Sequence, residues 1–143
     1  ASYVGLHRKC SPSGLALVGG PHGVVQIDDS EAADVLGRGP VLRNHHALED
    51  GANVNFVAKR RDGSFAYRTF ERGVEAETLA CGTGAVATAI MLSTWGESAQ
   101  ETTLWTRSGL PLVVTLARQG PSWIPSLSGE GRSVFEGKLR DLA

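Results

Sequence analysis

Gly84-Ala85-Val86-Ala87-Thr88-Ala89-Ile90-Met91-Leu92 carries no charged residue and is apolar around most of a helical circumference. A helix that is apolar on nearly all sides has no face to offer water and must be buried. Gly96, directly after Trp95, suits the left-handed position that follows a helix end. In a chain of 143 residues, such a helix has to be wrapped by strands. The stretch therefore predicts an α+β fold, a curved, mostly antiparallel sheet around one buried central helix. The length predicts a single domain over residues 1–143.

The flanking sequence supplies the strands. Ser2–Leu6 is a weak opening strand, and Leu15–Val18 a short apolar run that stops at Gly19-Gly20-Pro21. Val24–Ile27 reads as a further strand, bounded by Asp28-Asp29. Ser30 is placed to cap a short helix over Glu31–Leu36 that Gly37 would end, and Pro40 to open another helical turn through Asn44. Asn53–Lys59 alternates, with Val54, Phe56 and Ala58 on one face and Asn53, Asn55 and Val57 on the other. The Asp62-Gly63 turn joins it to Phe65–Arg72 as a hairpin. Beyond the helix, Thr102–Arg107, Leu112–Ala117 and Ser133–Gly137 are strand-like, and Pro125 confines Trp123–Leu127 to an edge.

Composition excludes several classes. Fourteen Lys+Arg against fifteen Asp+Glu leave a net charge of -1, so no bulk basic footprint for nucleic acid or an anionic membrane exists. Hydrophobic residues at 41% suffice for a core, and charged residues at 20% are too few for disorder. No apolar run approaches the roughly 20 residues of a membrane span, and no signal-peptide pattern opens the sequence. Two cysteines, Cys10 and Cys81, without CxxC spacing argue against a disulfide scaffold or a local zinc site. A cytoplasmic, metal-free protein is the expectation.

Chemistry concentrates in Glu71-Arg72-Gly73-Val74-Glu75-Ala76-Glu77-Thr78-Leu79-Ala80-Cys81-Gly82-Thr83-Gly84. Cys81 falls at the first turn of the buried helix, where backbone N–H groups lack partners and the helix dipole is positive. Both effects favour a thiolate. Gly82, Thr83 and Gly84 leave the backbone free to grip an anion such as a carboxylate. The pattern suggests a thiol that moves a proton beside a bound carboxylate. A structural cysteine in a tight strand-to-helix turn fits the same four residues. A phosphate loop does not, because no Gly-Lys-Ser/Thr follows. Glu71-Arg72, closing a strand just before the turn, adds an acid and a planar carboxylate-binding fork.

On the blocks Glu71-Arg72-Gly73 and Glu77-Thr78-Leu79-Ala80-Cys81-Gly82-Thr83-Gly84-Ala85, the sequence resembles diaminopimelate epimerases. Gly19-Gly20-Pro21-His22, Asn53-Val54-Asn55-Phe56-Val57 and Val134-Phe135-Glu136-Gly137 agree in order and spacing. The resemblance implies a half-domain of that fold and a cofactor-independent enzyme of lysine and peptidoglycan precursor biosynthesis. Such an enzyme inverts one α-carbon between LL- and meso-diaminopimelate, one cysteine removing the α-proton and a second thiol delivering one to the opposite face. By this resemblance Cys81 is the second cysteine, and Gly82 and Thr83 are backbone donors to the α-carboxylate. Asn53, Glu71 and Arg72 hold the substrate's amino and carboxylate groups, and His22 with Glu71 tunes the cysteines.

Two departures stand out. Many members carry a substrate-binding asparagine where this chain has Gly20, and nothing here matches the Cys-Gly-Asn-Gly-type motif of the family's N-terminal domain. Cys10, in Arg8-Lys9-Cys10-Ser11-Pro12, precedes no apolar helix and reads as incidental. The sequence therefore looks like a C-terminal half-enzyme, inactive alone and completed by an N-terminal half-domain or by a second copy in a homodimer. A non-catalytic binding module of the same fold, or a related amino-acid racemase, are the alternative readings.

Overall fold

The computed structural model describes residues 12–139. Its elements run β1 (Ser13–Leu17), β2 (Pro21–Gln26), α1 (Val35–Arg43), β3 (Asn53–Lys59), β4 (Phe65–Glu71), β5 (Ala76–Thr78), α2 (Gly82–Thr94), β6 (Glu101–Trp105), β7 (Pro111–Gln119) and β8 (Ser122–Gly129). The eight strands form one sheet in the order β1-β2-β3-β4-β6-β7-β8, with β5 pairing β4. The β2–β3 and β4–β6 pairs are parallel and the other five antiparallel. The expected mostly antiparallel sheet is therefore observed.

The sheet curls around α2, which touches β1, β2, β3, β7 and β8. Ala85, Val86, Ala87, Ala89, Met91 and Leu92 are buried against Val24, Val57, Tyr67, Leu104 and Val114. The helix ends as its sequence requires, with Trp95 as the C-cap and Gly96 at a φ of 76°. On the other sheet face, Val54, Phe56 and Phe70 pack with Val35 at the start of α1. β3 is thus covered on both sides, and its alternation separates two packed faces rather than core from solvent.

Helix α1 departs from the sequence expectation. Ser30 does not open a helix over Glu31–Leu36; the helix begins at Val35, where Asp34 accepts the Gly37 N–H at 2.9 Å. The Ser30 and Ala33 carbonyls accept from Arg68 Nη1 at 2.9 and 3.2 Å, which ties that stretch to β4. Gly37 and Pro40 both lie inside the helix, against the single-residue propensities of each. Gly39 supplies the compensation: a Cβ there would run into the Phe70 ring, so the missing side chain lets α1 approach the sheet.

Other differences are local. β1 starts at Ser13 and β2 at Pro21, ahead of the apolar runs that marked them. The short β5 was not anticipated; it follows a tight turn in which Gly73 has a φ of 91° and Glu75 one of 58°. Glu75 is held in that uncommon conformation by the Gly73 N–H at 2.9 Å and by the Arg43 guanidinium at 2.9 Å. β8 is the terminal strand of the sheet and accommodates Pro125, as expected of an edge. Ser133–Gly137 forms no strand, and Val134 and Phe135 are 86% exposed. A strand-like segment becomes a strand only against a neighbour, and among the described residues none pairs with it. The expected strand at Ser2–Leu6, and Cys10, lie outside the described residues.

Arg68 and Glu77 bind the turn to the sheet, with Nε–Oε1 at 2.6 Å and Nη2–Oε2 at 2.8 Å. The Arg68 donors hold the Glu77 carboxyl below its ordinary range. Both side chains are largely buried, so removing one charge leaves the other with unmet solvation. Glu77→Gln should cost about 2 kcal/mol in urea denaturation at neutral pH, by the usual penalty for a broken charge-assisted pair.

Candidate functional site

The sheet register assembles the site. His22 is in register with Asn53 across β2–β3, and Val54 with Phe70 across β3–β4, which sets Glu71 level with Asn53. Because side chains alternate along strands, His22, Asn53 and Glu71 share the face that carries Val24, Asn55, Val57, Tyr67 and Thr69. That face packs on α2. Arg72 lies just past β4, and its N–H donates to Asn53 Oδ1 at 2.8 Å. Asn53 Nδ2 in turn reaches the Pro21 carbonyl at 3.4 Å, linking the starts of β2 and β3 to the end of β4.

Cys81 is the N-cap of α2, with extended backbone (φ -138°, ψ 109°) and no side-chain cap bond. Gly82, Thr83 and Gly84 are therefore the first helical residues, whose N–H groups have no helical carbonyl to reach. The Cys81 Sγ lies 3.5 Å from Thr83 Oγ1. Cys81 is 9% exposed, a nearly covered thiol beside an exposed Thr83, and it is a free thiol. The turn between β1 and β2 joins this helix end to the arginine. A Cβ on Gly19 would lie 3.6 Å from Thr83 Cγ2, and one on Gly20 would lie 3.6 Å from Arg72 Nη2. Arg72 Nη1 also donates to the Asp50 carbonyl at 3.2 Å, which fixes the guanidinium beside Gly20.

His22 is 1% exposed, and burial is the main reason that its pKa lies below the ordinary 6.5. A hydrogen bond to the Val18 backbone and the charge of Glu71 act upward, and Arg72 acts downward. The structure thus places His22, Asn53, Glu71, Arg72, Cys81, Gly82 and Thr83 around the corner where the starts of β2 and β3, the end of β4 and the first turn of α2 meet.

The sequence analysis missed a second tier beneath them. Asn55 is fully buried; its Nδ2 donates to the Gly23 carbonyl at 2.9 Å and lies 3.4 Å from His22 Nδ1. Its Oδ1 accepts from Thr69 Oγ1 at 3.0 Å and from the Tyr67 hydroxyl at 3.3 Å. The Tyr67 hydroxyl also lies 2.9 Å from the Cys81 carbonyl. A Cβ on Gly84 would collide with the Tyr67 hydroxyl and Asn55 Oδ1, so glycine is required where the helix meets this network. The available signal was Asn55 itself, a poor strand residue set between Val54 and Phe56, tolerable there only with its amide fully bonded.

A cavity of about 440 Å³ elsewhere is lined by Arg60, Arg68, Trp105 and Arg107, but Arg68 is already satisfied by Glu77. Among the described residues no three His, Cys, Asp or Glu side chains gather as a metal site, and no helix is long and apolar enough to cross a membrane.

The fold is shared with amino-acid racemases and epimerases that keep a related architecture at low sequence identity. A hydroxyproline epimerase from Agrobacterium vitis superposes with a TM-score of 0.66 at 17% identity, over 94% of this chain and 47% of that one. A probable proline racemase from Agrobacterium radiobacter gives 0.64 at 20% identity, over 89% and 46%. The family model for diaminopimelate epimerase matches residues 14–134, and the chain belongs to that family. A diaminopimelate epimerase from Gemmatimonas aurantiaca is 51% identical over 90% of this chain and 50% of its own length. One from Hydrogenobaculum is 43% identical over 85% and 44%. The chain spans about half the length of the curated relatives it matches.

The depressed pKa of His22 gives a stability prediction with a defined sign. Between its folded value and 6.5 the unfolded chain binds the proton more readily, so the contribution is complete above 6.5 and is lost as pH falls toward the folded value. Glu75 and Glu77, both held below 4.5, act at lower pH. The melting temperature should therefore fall between about pH 7.5 and about pH 5.5, and by less in His22→Gln. Equal falls in the two proteins would contradict the assignment.

Proposed function

We propose that this chain is the C-terminal half of a cofactor-independent diaminopimelate epimerase, acting in the reducing cytoplasm. The reading rests on one observation: Cys81, at the mouth of α2, packs at the end of the sheet face that carries His22, Asn53 and Glu71, and Arg72 closes the same corner. The free N–H groups of Gly82 and Thr83 receive the α-carboxylate, where the helix dipole favours negative charge. The Cys81 thiolate takes the α-proton to become a thiol, and the electron pair left on carbon is stabilised through that bound carboxylate. A thiol on the opposite face returns a proton and becomes the thiolate, so the cycle neither consumes nor supplies atoms. Asn53, Glu71 and Arg72 hold the amino and distal carboxylate groups, and buried His22 with Glu71 sets the charge environment of the thiol.

The second thiol has to come from a complementary N-terminal half-domain, or from a second copy in a homodimer. Partly exposed apolar residues around the cysteine support such a cover. Leu79 is 66% exposed two residues before Cys81, and Leu127 of β8, 45% exposed, packs where a Gly82 side chain would sit. A carbon acid this weak yields its proton only in a dry site, which requires that cover.

The test is α-deuterium exchange and epimerisation of LL-diaminopimelate in D₂O, by the chain alone and mixed with an N-terminal half taken from a relative. Turnover should be negligible alone and appear in the mixture, and Cys81→Ser should lower it by about 10²–10⁴-fold. Robust turnover by the chain alone would show that a single half, or its homodimer, suffices. Binding of substrate without exchange in the mixture would favour the non-catalytic module. Exchange of proline but not of diaminopimelate would favour a related racemase.

A further inference from the structure

The buried tier beneath the site has a consequence for catalysis. Tyr67 is 2% exposed, and its single hydroxyl proton faces two acceptors, the Cys81 carbonyl at 2.9 Å and Asn55 Oδ1 at 3.3 Å. The shorter contact is with the carbonyl. We propose that Tyr67 is a positioning residue: its hydroxyl pins the Cys81–Gly82 peptide so that the Gly82 N–H points at the substrate carboxylate. This inference rests on the anion-binding role given above to the start of α2.

The argument is one of peptide geometry. In a planar trans peptide the carbonyl and the following N–H point in opposite directions. Drawing the Cys81 carbonyl inward, toward Tyr67, turns the Gly82 N–H outward. That carbonyl also accepts the first helical bond, from the Ala85 N–H at 2.9 Å. Its two lone pairs are thereby both used, and the peptide plane is held at two points rather than one. Held only by a fraying first turn, the plane would be free to rock, and a donor rocking by tens of degrees loses much of its hydrogen bond. Burial pushes the Tyr67 phenol far above its ordinary range, so it remains a donor throughout the working pH range.

The surroundings of the hydroxyl are fixed as well. Thr69 Oγ1 donates to Asn55 Oδ1 and Asn55 Nδ2 is anchored on the Gly23 carbonyl, so the amide oxygen stands at 3.3 Å as the more distant acceptor while the Cys81 carbonyl at 2.9 Å takes the Tyr67 proton. Gly84 completes the arrangement, since any side chain there would displace both the hydroxyl and the amide. Tyr67 therefore touches no substrate and acts through the cysteine's own backbone.

The test uses the chain itself and compares a charged with a neutral alkylating reagent at Cys81. Iodoacetate carries a carboxylate and iodoacetamide does not, so the ratio of their rates reads the oriented N–H donors. Changes in thiol access or protonation affect both reagents and cancel. The ratio is followed at Cys81 by peptide mass mapping, with glutathione as the reference thiol. The native chain should exceed the reference, and Tyr67→Phe should lower the ratio about three- to tenfold, toward it, with circular dichroism unchanged. Thr69→Val removes a bond to the same Asn55 oxygen but none to Cys81, and should stay within about twofold of the native ratio. If Tyr67→Phe does not fold, Tyr67→Leu, which also lacks the hydroxyl, carries the same expectation. A raised native ratio that survives loss of the hydroxyl, or falls equally in Thr69→Val, overturns the positioning role alone. A native ratio no higher than that of glutathione removes the anion site of the proposed function, and this inference with it.

Discussion

A helix without charge or amphipathic face has one stable environment, the interior, and α2 imposes that requirement on everything around it. Its first turn opens on Gly82-Thr83-Gly84, and Cys81 as N-cap contributes no side-chain bond to the open N–H groups. Those groups stay available at the point where the sheet stops covering the helix. Burial of the helix body and openness of its mouth are thus one arrangement, produced by apolar residues after Gly84 and small ones before it. The curl of the sheet follows, because a flat sheet would cover a single side of a helix that is apolar on all of them.

The same constraint explains which parts of the molecule were legible in the sequence. The helix, the hairpin across Asp62-Gly63 and the edge position of Pro125 all follow from local rules, and the structure agrees with each. Cys81, Glu71 and Arg72 were visible because they sit in one continuous stretch. Helix α1 was misplaced because its start is settled by Arg68, which binds the Ser30 and Ala33 carbonyls from a strand more than thirty residues away. Its passage through Gly37, Gly39 and Pro40 is likewise settled by the fit of Gly39 on Phe70, a tertiary contact that no propensity records. Ser133–Gly137 contains the strand formers Val134 and Phe135 but lacks a neighbour among the described residues, the part of strand formation that a single segment cannot encode.

The network under the site was hidden for a related reason. Asn55, Tyr67 and Thr69 look unrelated along the chain, and only the β3–β4 register, with Asn55 opposite Thr69 and Val57 opposite Tyr67, sets them side by side. Their polar groups are buried, and each is tolerable because the others are present. Removing one leaves a specific partner short of a bond, the Asn55 oxygen for Thr69 and the Cys81 carbonyl for Tyr67. This is a costly way to fill a core, and an apolar set of similar volume would pack the same space without needing exact bonding. A network retained where the cysteine peptide enters the helix therefore argues that orientation matters there more than cohesion alone.

His22 belongs to both tiers and shows why they cannot be separated. Its ring lies level with Asn53 in the site row, while its Nδ1 faces the Asn55 amide nitrogen of the buried tier at 3.4 Å. With Asn55 Nδ2 as the donor in that contact, Nδ1 acts as the acceptor and the ring proton belongs on Nε2. Burial disfavours a charged imidazolium, so the neutral ring is the form the fold selects, beside a carboxylate and a guanidinium whose effects on it oppose one another. A neutral imidazole next to the opposed charges of Glu71 and Arg72 leaves little net positive potential of its own. The start of α2, whose N–H groups are fixed in space, is then an oriented source of positive potential beside the sulfur, in addition to the opposed charges of Glu71 and Arg72.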